Sequence, residues 1–379
     1  MKIALVHDHL TQVGGAERVL KIFHELFPAA PIYTLIHDRK KVENILPDAD
    51  VRPSFLQRLP LSRKMYQWFL PLMPTATESY DLSAYDIVLS SASAFAKGVI
   101  TKSTTLHICY CHTPTRYLWT DTHDYLRELR APGPIKAYLP YLFTGLRIWD
   151  AHAAMRVDRF LANSRTVQER ITKHYRREST VMFPPVEVDQ FSLGEGSGRY
   201  YLAGGRLVSY KRFDIIIDAF NRLGMPLKIF GVGPESEKLR KRAKPNIEFC
   251  AGVSDEQRAA LYRDCIAYIH PQEEDFGITP IEAMASGRPV IAYAAGGALE
   301  TILDDVTGTF FYDQDYAALI DAILHFDAMR YDAATIRSYA VKYSVDRFKK
   351  ELSDFINREW NTWQELQEIK RLRESKMMF

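Results

Sequence analysis

The sequence predicts an α/β protein built from two Rossmann-like domains facing a cleft. Three observations carry this. Short apolar runs alternate with helix-like stretches in the first half, and the same rhythm returns in the second. A proline pair and a glycine-rich stretch separate the halves. The 379 residues, 47% of them hydrophobic, are enough for two cores.

In the first half the runs 3–6, 32–35, 87–89, 106–110 and 160–162 read as buried parallel strands joined by crossovers. After the first run comes Gly14-Gly15, then a helix whose Val19, Leu20, Phe23 and Phe27 share a face. The glycine pair reads either as a loop approaching a phosphate or as a tight turn, and the lack of G-x-G-x-x-G disfavours a nicotinamide dehydrogenase. His7-Asp8-His9 contains metal-ligand types, but neighbours on a strand point to opposite faces, so no metal site is expected. Segment 51–77 carries Arg52, Arg58, Arg63 and Lys64 with no acidic residue, mixed with Phe55, Tyr66, Trp68, Phe69 and Leu70. It suits an anionic membrane surface or a pair of amphipathic helices on the sheet, and both readings stand. His112 ends the fourth strand, in the string Cys111-His112-Thr113-Pro114-Thr115-Arg116-Tyr117-Leu118-Trp119.

A boundary is expected near Phe183-Pro184-Pro185, with Gly194-Glu195-Gly196-Ser197-Gly198 as a hinge. The expected division is 1–185, 199–345 and a C-terminal helical part 346–379. In the second half the strands are 200–203, 227–230, 247–250, 267–269 and 290–293, with a helix over 254–263. Ligand sites in such sheets lie beyond the strand C-termini. The loop Gly204-Gly205-Arg206-Leu207-Val208-Ser209-Tyr210-Lys211-Arg212 therefore offers a phosphate-binding fork at Arg206 and a mobile point charge at Lys211.

The most informative stretch runs from His270 to Ala292. A strand, a loop holding Glu274, a turn at Gly277 and a helix opening at Thr279-Pro280-Ile281-Glu282 meet there, with proline expected at the first helical position. The N–H groups of Gly277, Ile278 and Thr279 form a ready diphosphate site. Glu274 suits sugar hydroxyls. Glu282 suits the two hydroxyls of a ribose, although Thr-x-x-Glu is also a capping box.

The string Pro271-Gln272-Glu273-Glu274-Asp275-Phe276-Gly277, followed by Ile281-Glu282-Ala283-Met284-Ala285-Ser286-Gly287-Arg288-Pro289-Val290-Ile291-Ala292, closely resembles the E-x7-E segment of the retaining glycosyltransferases of family 4. Gln272 replaces the usual serine and Asp275 the usual first glycine. The resemblance implies the GT-B fold, with a last helix, here 344–375, crossing back to the N-terminal domain. It implies that Arg206 and Lys211 contact the donor diphosphate, so that neither metal nor cofactor is required. Glu274 would orient the sugar, Glu282 hold the ribose, and Gly14 and Gly15 approach the donor or acceptor. Val253, in the Gly252-Val253-Ser254 turn, would wall the base pocket together with Gly231-Val232-Gly233. The string around His112 resembles the O-antigen mannosyltransferase subset. That implies mannose from GDP-mannose, His112 supporting the reacting centre, and Arg116 meeting an acceptor phosphate on a polyprenyl-diphosphate-linked saccharide. A UDP- or dTDP-sugar donor, a related enzyme such as an epimerase or phosphorylase, and a non-catalytic sugar-nucleotide-binding protein are the alternatives.

Composition sets the remaining bounds. A net charge of +2 argues against a nucleic-acid partner held by charge alone. No apolar run reaches the roughly 18 residues that span a bilayer, and residues 1–10 carry no signal-peptide pattern. A cytoplasmic placement, peripheral on the inner face of the membrane, is expected. The four cysteines form no CxxC pair and read as core residues.

Overall fold

The computed structural model describes residues 1–128, 132–194, 196 and 198–377. The chain divides into two units, one of residues 1–183 and 349–379 and the other of residues 184–348.

The first unit is a seven-stranded parallel sheet. Its strands are β1 (Ile3–Leu10), β2 (Ile32–His37), β3 (Val51–Pro53), β4 (Ile87–Ala92), β5 (Leu106–Cys111), β6 (Arg159–Ala162) and β7 (Thr180–Val181), in the order β3-β2-β1-β4-β5-β6-β7. Strand order reverses between β1 and β4, which pair directly from Ile3↔Ile87 to His7↔Ser91. The expected strands are all present, and β1 runs on to Leu10. β3 and β7 were not expected: both are short outer strands without an apolar run.

Helices cover the sheet. Gly15–Leu26 buries Val19, Leu20 and Phe23. Gly133–Met155 packs Leu139, Phe143 and Leu146 against Leu35, Phe95 and Leu118. The long helix Val345–Met377 joins this unit from Lys349 onward. There Glu359 pairs with Arg159 at 2.6 Å, and the Trp363 indole donates to the Thr104 carbonyl at 3.0 Å. Segment 51–77 resolves into short helical turns that divide their side chains. Leu56, Met73 and Ala76 enter the core, whereas Phe55, Leu61, Met65, Trp68 and Leu72 are exposed beside Arg58, Arg63 and Lys64.

The second unit is a six-stranded parallel sheet of β8 (Tyr200–Gly204), β9 (Leu227–Phe230), β10 (Ile247–Cys250), β11 (Cys265–His270), β12 (Val290–Tyr293) and β13 (Gly308–Phe311), in the order β10-β9-β8-β11-β12-β13. Its reversal lies between β8 and β11. Its core gathers Ile216, Phe220, Ile229 and Ile269. β13 was not expected. It begins at a glycine because a Cβ there would overlap the Val290 carbonyl of β12.

The expected hinge is corrected. Residues from Pro184 belong to the second unit and are fastened to it: Val186 N–H donates to the Tyr343 carbonyl at 2.8 Å, and Gly194 N–H to Ser286 at 3.0 Å. Phe191 is buried against the Tyr262 ring. Gly194 and Gly198 serve close approach, since a Cβ at Gly194 would meet the Arg263 carbonyl and one at Gly198 the Cys265 carbonyl, whereas Gly196 has open space and a φ of +61°. Glu195 and Ser197 lie outside the described residues.

Candidate functional site

In the second unit the candidate residues gather at the C-terminal edge of the sheet, on the loops after β8 and β11 that flank the strand-order reversal. Tyr268 ties the two strands by donating its hydroxyl proton to the Gly204 carbonyl at 2.8 Å. Beyond Gly204 the chain turns at Gly205, with φ +126°, and lies against the β9 loop so closely that a Cβ at Gly231 would overlap the Gly205 carbonyl.

Arg206 stands exposed on this loop, and its guanidinium makes no hydrogen bond or ion pair among the described residues. Lys211 differs from expectation. It is not a mobile charge: its side chain is 11% exposed, and its Nζ lies 2.7 Å from Glu274 Oε1, on a side chain 17% exposed. Burial acts to raise the Glu274 carboxyl, but the Lys211 ammonium and the neighbouring His270 outweigh it and hold the carboxyl at about 2. Burial acts equally against the Lys211 charge, and Glu274 outweighs it, raising the lysine.

The Glu274 loop is clamped from outside. Gly297 N–H donates to the Glu274 carbonyl at 2.8 Å, and Gly296 and Gly297 are glycines because a Cβ at either would overlap the 274–276 backbone. Gln272 is buried, with Nε2 3.4 Å from Glu274 Oε1, and Gln314 donates to the Pro271 carbonyl at 2.9 Å. These supports were missed in the sequence, although Gly296-Gly297 was a visible signal. His270, fully buried, has no hydrogen-bond partner at either ring nitrogen among the described residues, and burial pushes it down to about 4.

The helix beyond opens earlier than expected, as Ile278–Ala285 with Gly277 as N-cap at φ +89°. Pro280 is therefore third in the helix, where its missing N–H still costs nothing. Thr279 lies inside the helix and cannot cap it, so no Thr-x-x-Glu capping box forms. Glu282 is buried instead and accepts the Tyr262 hydroxyl proton at 2.9 Å, with Arg258 at 3.7 Å. The N–H groups of Ile278 and Thr279 have no intrahelical acceptor by position, and Gly277 leads into them. Val253, half-buried, follows β10 on the same sheet edge, next to Gly252 at φ +67°.

In the first unit the counterpart lies at the reversal between β1 and β4. His112, just past β5, places Nε2 2.8 Å from Ser91 Oγ on β4, and Ser91 Oγ lies 3.1 Å from His7 Nδ1 on β1. Burial, with His7 nearby, pushes His112 down to about 4. Asp8 accepts four backbone N–H groups, from Ser93 through Ala96, at 2.6–2.9 Å, while His9 packs on the Tyr66 ring. The residues weighed as a metal set thus have separate partners. Gly14 donates its N–H to Glu17 Oε2 at 2.8 Å, so that donor is already engaged, whereas Gly15 is exposed at the helix start. Arg116 is ion-paired to Asp121 at 2.7 Å. The 112–119 string is held by buried Asp150, which accepts from Thr115 Oγ1 and Trp119 Nε1 and pairs with Lys97.

Cations, a helix N-terminus and a carboxylate on one sheet edge suit a ligand with an anionic end and a hydroxylated end. The family profile described as "Glycosyl transferases group 1" matches residues 187–342. Alpha-1,3/1,6-mannosyltransferase ALG2 of Dictyostelium discoideum is 23% identical, over 81% of this chain and 85% of its own length. O-antigen chain mannosyltransferase C of Escherichia coli is 27% identical, over 43% of this chain and 47% of its own. In fold the chain is similar to Anabaena HepE in complex with UDP, at TM-score 0.70 and 17% identity over 94% of this chain and 100% of that one. It is likewise similar to sucrose-phosphate synthase from Thermosynechococcus elongatus, at TM-score 0.72 and 15% identity over 96% and 100%. With the E-x7-E segment on the loop and helix after β11 and two parallel α/β units of this topology, the chain is similar over residues 187–342 to the group 1 glycosyl transferases, has the GT-B fold and is a glycosyltransferase.

Proposed function

We propose that the enzyme transfers mannose from GDP-mannose, with retention, to a polyprenyl-diphosphate-linked saccharide in surface-polysaccharide synthesis. The observation that carries the site assignment is the Lys211–Glu274 pair beside exposed Arg206 at the strand-order reversal of the second unit. The mannosyl reading is supported by the names of relatives, among them ALG2 and the O-antigen chain enzyme.

In this reading Arg206, Lys211 and the N–H groups at Gly277, Ile278 and Thr279 stabilise the departing diphosphate as its charge grows, so no divalent metal is needed. Glu274 orients the sugar, and Glu282, held by Tyr262, contacts the ribose. Val253 borders the base, and Gly15, with Gly14 behind it, approaches the substrate. His112 meets the transferred sugar near its reacting carbon, and Arg116 exchanges Asp121 for an acceptor phosphate. Retention follows a front-face course in which the departing diphosphate helps deprotonate the incoming hydroxyl.

No helix among the described residues is long and apolar enough to cross a membrane. The exposed apolar and basic side chains of segment 51–77 support docking on the anionic cytoplasmic face of the membrane, where a lipid-linked acceptor would be met.

The test offers radiolabelled GDP-mannose, UDP-glucose, UDP-N-acetylglucosamine and dTDP-rhamnose with membrane lipid extract. Label from GDP-mannose alone in the lipid fraction is expected. Glu274→Ala is expected to lower transfer about a hundredfold, or about 2.7 kcal/mol of barrier. Label from another donor discards mannose and keeps the class; no turnover of any donor overturns the reading in favour of a binding protein.

A further inference from the structure

A buried polar chain ends on His112. Ser91 Oγ sits between His7 Nδ1 at 3.1 Å and His112 Nε2 at 2.8 Å and is fully buried, so its single proton serves one ring and a lone pair serves the other. The far side of His7 decides which. His7 Nε2 faces Glu17 Oε1 at 3.8 Å, and Glu17 is itself held by the Gly14 N–H at Oε2. A carboxylate only accepts, so the proton of a neutral His7 belongs on Nε2 and its Nδ1 accepts from Ser91. The Ser91 lone pair then takes the Nε2 proton of His112. His112 Nδ1, which makes no hydrogen bond among the described residues, keeps a bare lone pair.

We propose that Ser91, His7 and Glu17 are positioning residues that fix the ring and tautomer of His112, so that its Nδ1 accepts a hydrogen bond from a hydroxyl of the transferred hexose. The proposal rests on the reading of His112 at the reacting centre. The charged and titratable groups facing His112 are His7, Asp8 and Glu17, with the edge of the Tyr110 ring at 5.2 Å. Asp8 is taken up by its four N–H donors, which leaves the Glu17 arm as the one that orders the chain. Burial acts to raise the Glu17 carboxyl, and the His7 ring and the Gly14 N–H outweigh it, so Glu17 is a charged acceptor at neutral pH. His112 is held near 4 and is neutral there, so the chain sets its tautomer and not its charge. The same chain explains why His7, Ser91 and Glu17 are buried at the β1–β4 reversal beside half-buried His112.

The test is the imidazole ¹⁵N spectrum of histidine-labelled full-length protein at pH 7.5, with His112 assigned by loss of its signals in His112→Gln. The wild type is expected to show His112 with its proton on Nε2. Ser91→Ala and Glu17→Gln, two independent variants, are expected to give mixed tautomers and about a tenfold lower kcat, with donor KM within about twofold, as for loss of one orienting hydrogen bond. A second proton on His7 would reverse the chain and place the His112 proton on Nδ1. That tautomer in the wild type overturns the proposal, as does an unchanged tautomer or an unchanged kcat in both folded variants. The expected spectra together with wild-type turnover in His112→Gln overturn instead the reading of His112 at the reacting centre.

Discussion

Lys211 and Glu274 form an ion pair across the loops after β8 and β11, in which each charge offsets the cost of burying the other. Each is visible in the sequence as a member of a loop motif, but their 2.7 Å contact depends on β8 lying beside β11. That adjacency is a property of crossovers, which one sequence does not record. The same holds for His112: its histidine was legible, whereas Ser91 and Glu17 were not, because one of two adjacent serines at the end of an apolar strand and a glutamate in a first helical turn carry no signal until the strands are ordered. Because the Lys211–Glu274 pair is mostly shielded, removing one partner leaves the other charge poorly solvated. Glu274→Gln and Lys211→Met should each cost about 2 kcal/mol, between exposed and fully buried pairs. The double variant should cost clearly less than their sum, as coupled neighbours do. Urea midpoints of the four proteins check the stability part, and transfer rates should stay low in all three variants. A double variant that recovers transfer would make the pair structural only.

At the scale of elements, the sequence anticipated strands wherever an apolar run is buried on both faces. It missed three of the four outer strands, β3, β7 and β13, where half-exposed residues leave no such run, and found the fourth, β10. It misplaced the start of the helix Ile278–Ala285 because Gly277 supplies the left-handed N-cap that Thr279 was expected to supply by side chain. It also read the glycines before β8 as flexible, though Gly194 and Gly198 serve close contact. The 51–77 segment shows both of its readings at once: Leu56, Met73 and Ala76 bind it to the sheet, while Leu61, at 64% exposure, and Trp68, at 62%, stand outward. If that outer face docks on lipid, two terms act together, apolar insertion and attraction of Arg58, Arg63 and Lys64 to anionic headgroups at about 1 kcal/mol per charge. Sedimentation with phosphatidylglycerol vesicles should then show binding that weakens as salt rises. Trp68→Ser with Leu61→Ser should reduce it about tenfold or more without lowering the thermal midpoint, because neither side chain is in the core. Equal binding by this variant removes the segment from the docking face.

For the whole molecule, two cores and two parallel sheets follow from a rhythm of apolar runs that the sequence displays twice, and so the architecture was the most legible level. The buried histidines were the least legible, since a histidine in a strand does not announce whether it is paired, neutral or exposed. Burial is the first cause that pushes His9, His112 and His270 each down to about 4 and His107 to about 3. An unfolded histidine titrates near about 6.5, so between there and about 4 the unfolded chain binds more protons than the folded one. Stability contributed by these neutral rings is complete above that window and is lost as pH falls through it, at up to about 1.4 kcal/mol per pH unit for each ring. Glu274, with its folded value near 2, adds a second loss only below the ordinary carboxylate range. Urea denaturation at pH 7, 6, 5 and 4.5 should therefore show midpoints falling well before the carboxylates titrate. Three of the rings belong to the first unit and His270 to the second, so His270→Leu, which removes a ring without hydrogen-bond partners among the described residues, should flatten the pH dependence of the second unit's unfolding and leave that of the first. A slope unchanged in this variant would mean that His270 is already protonated in the folded protein and that its buried nitrogens are solvated.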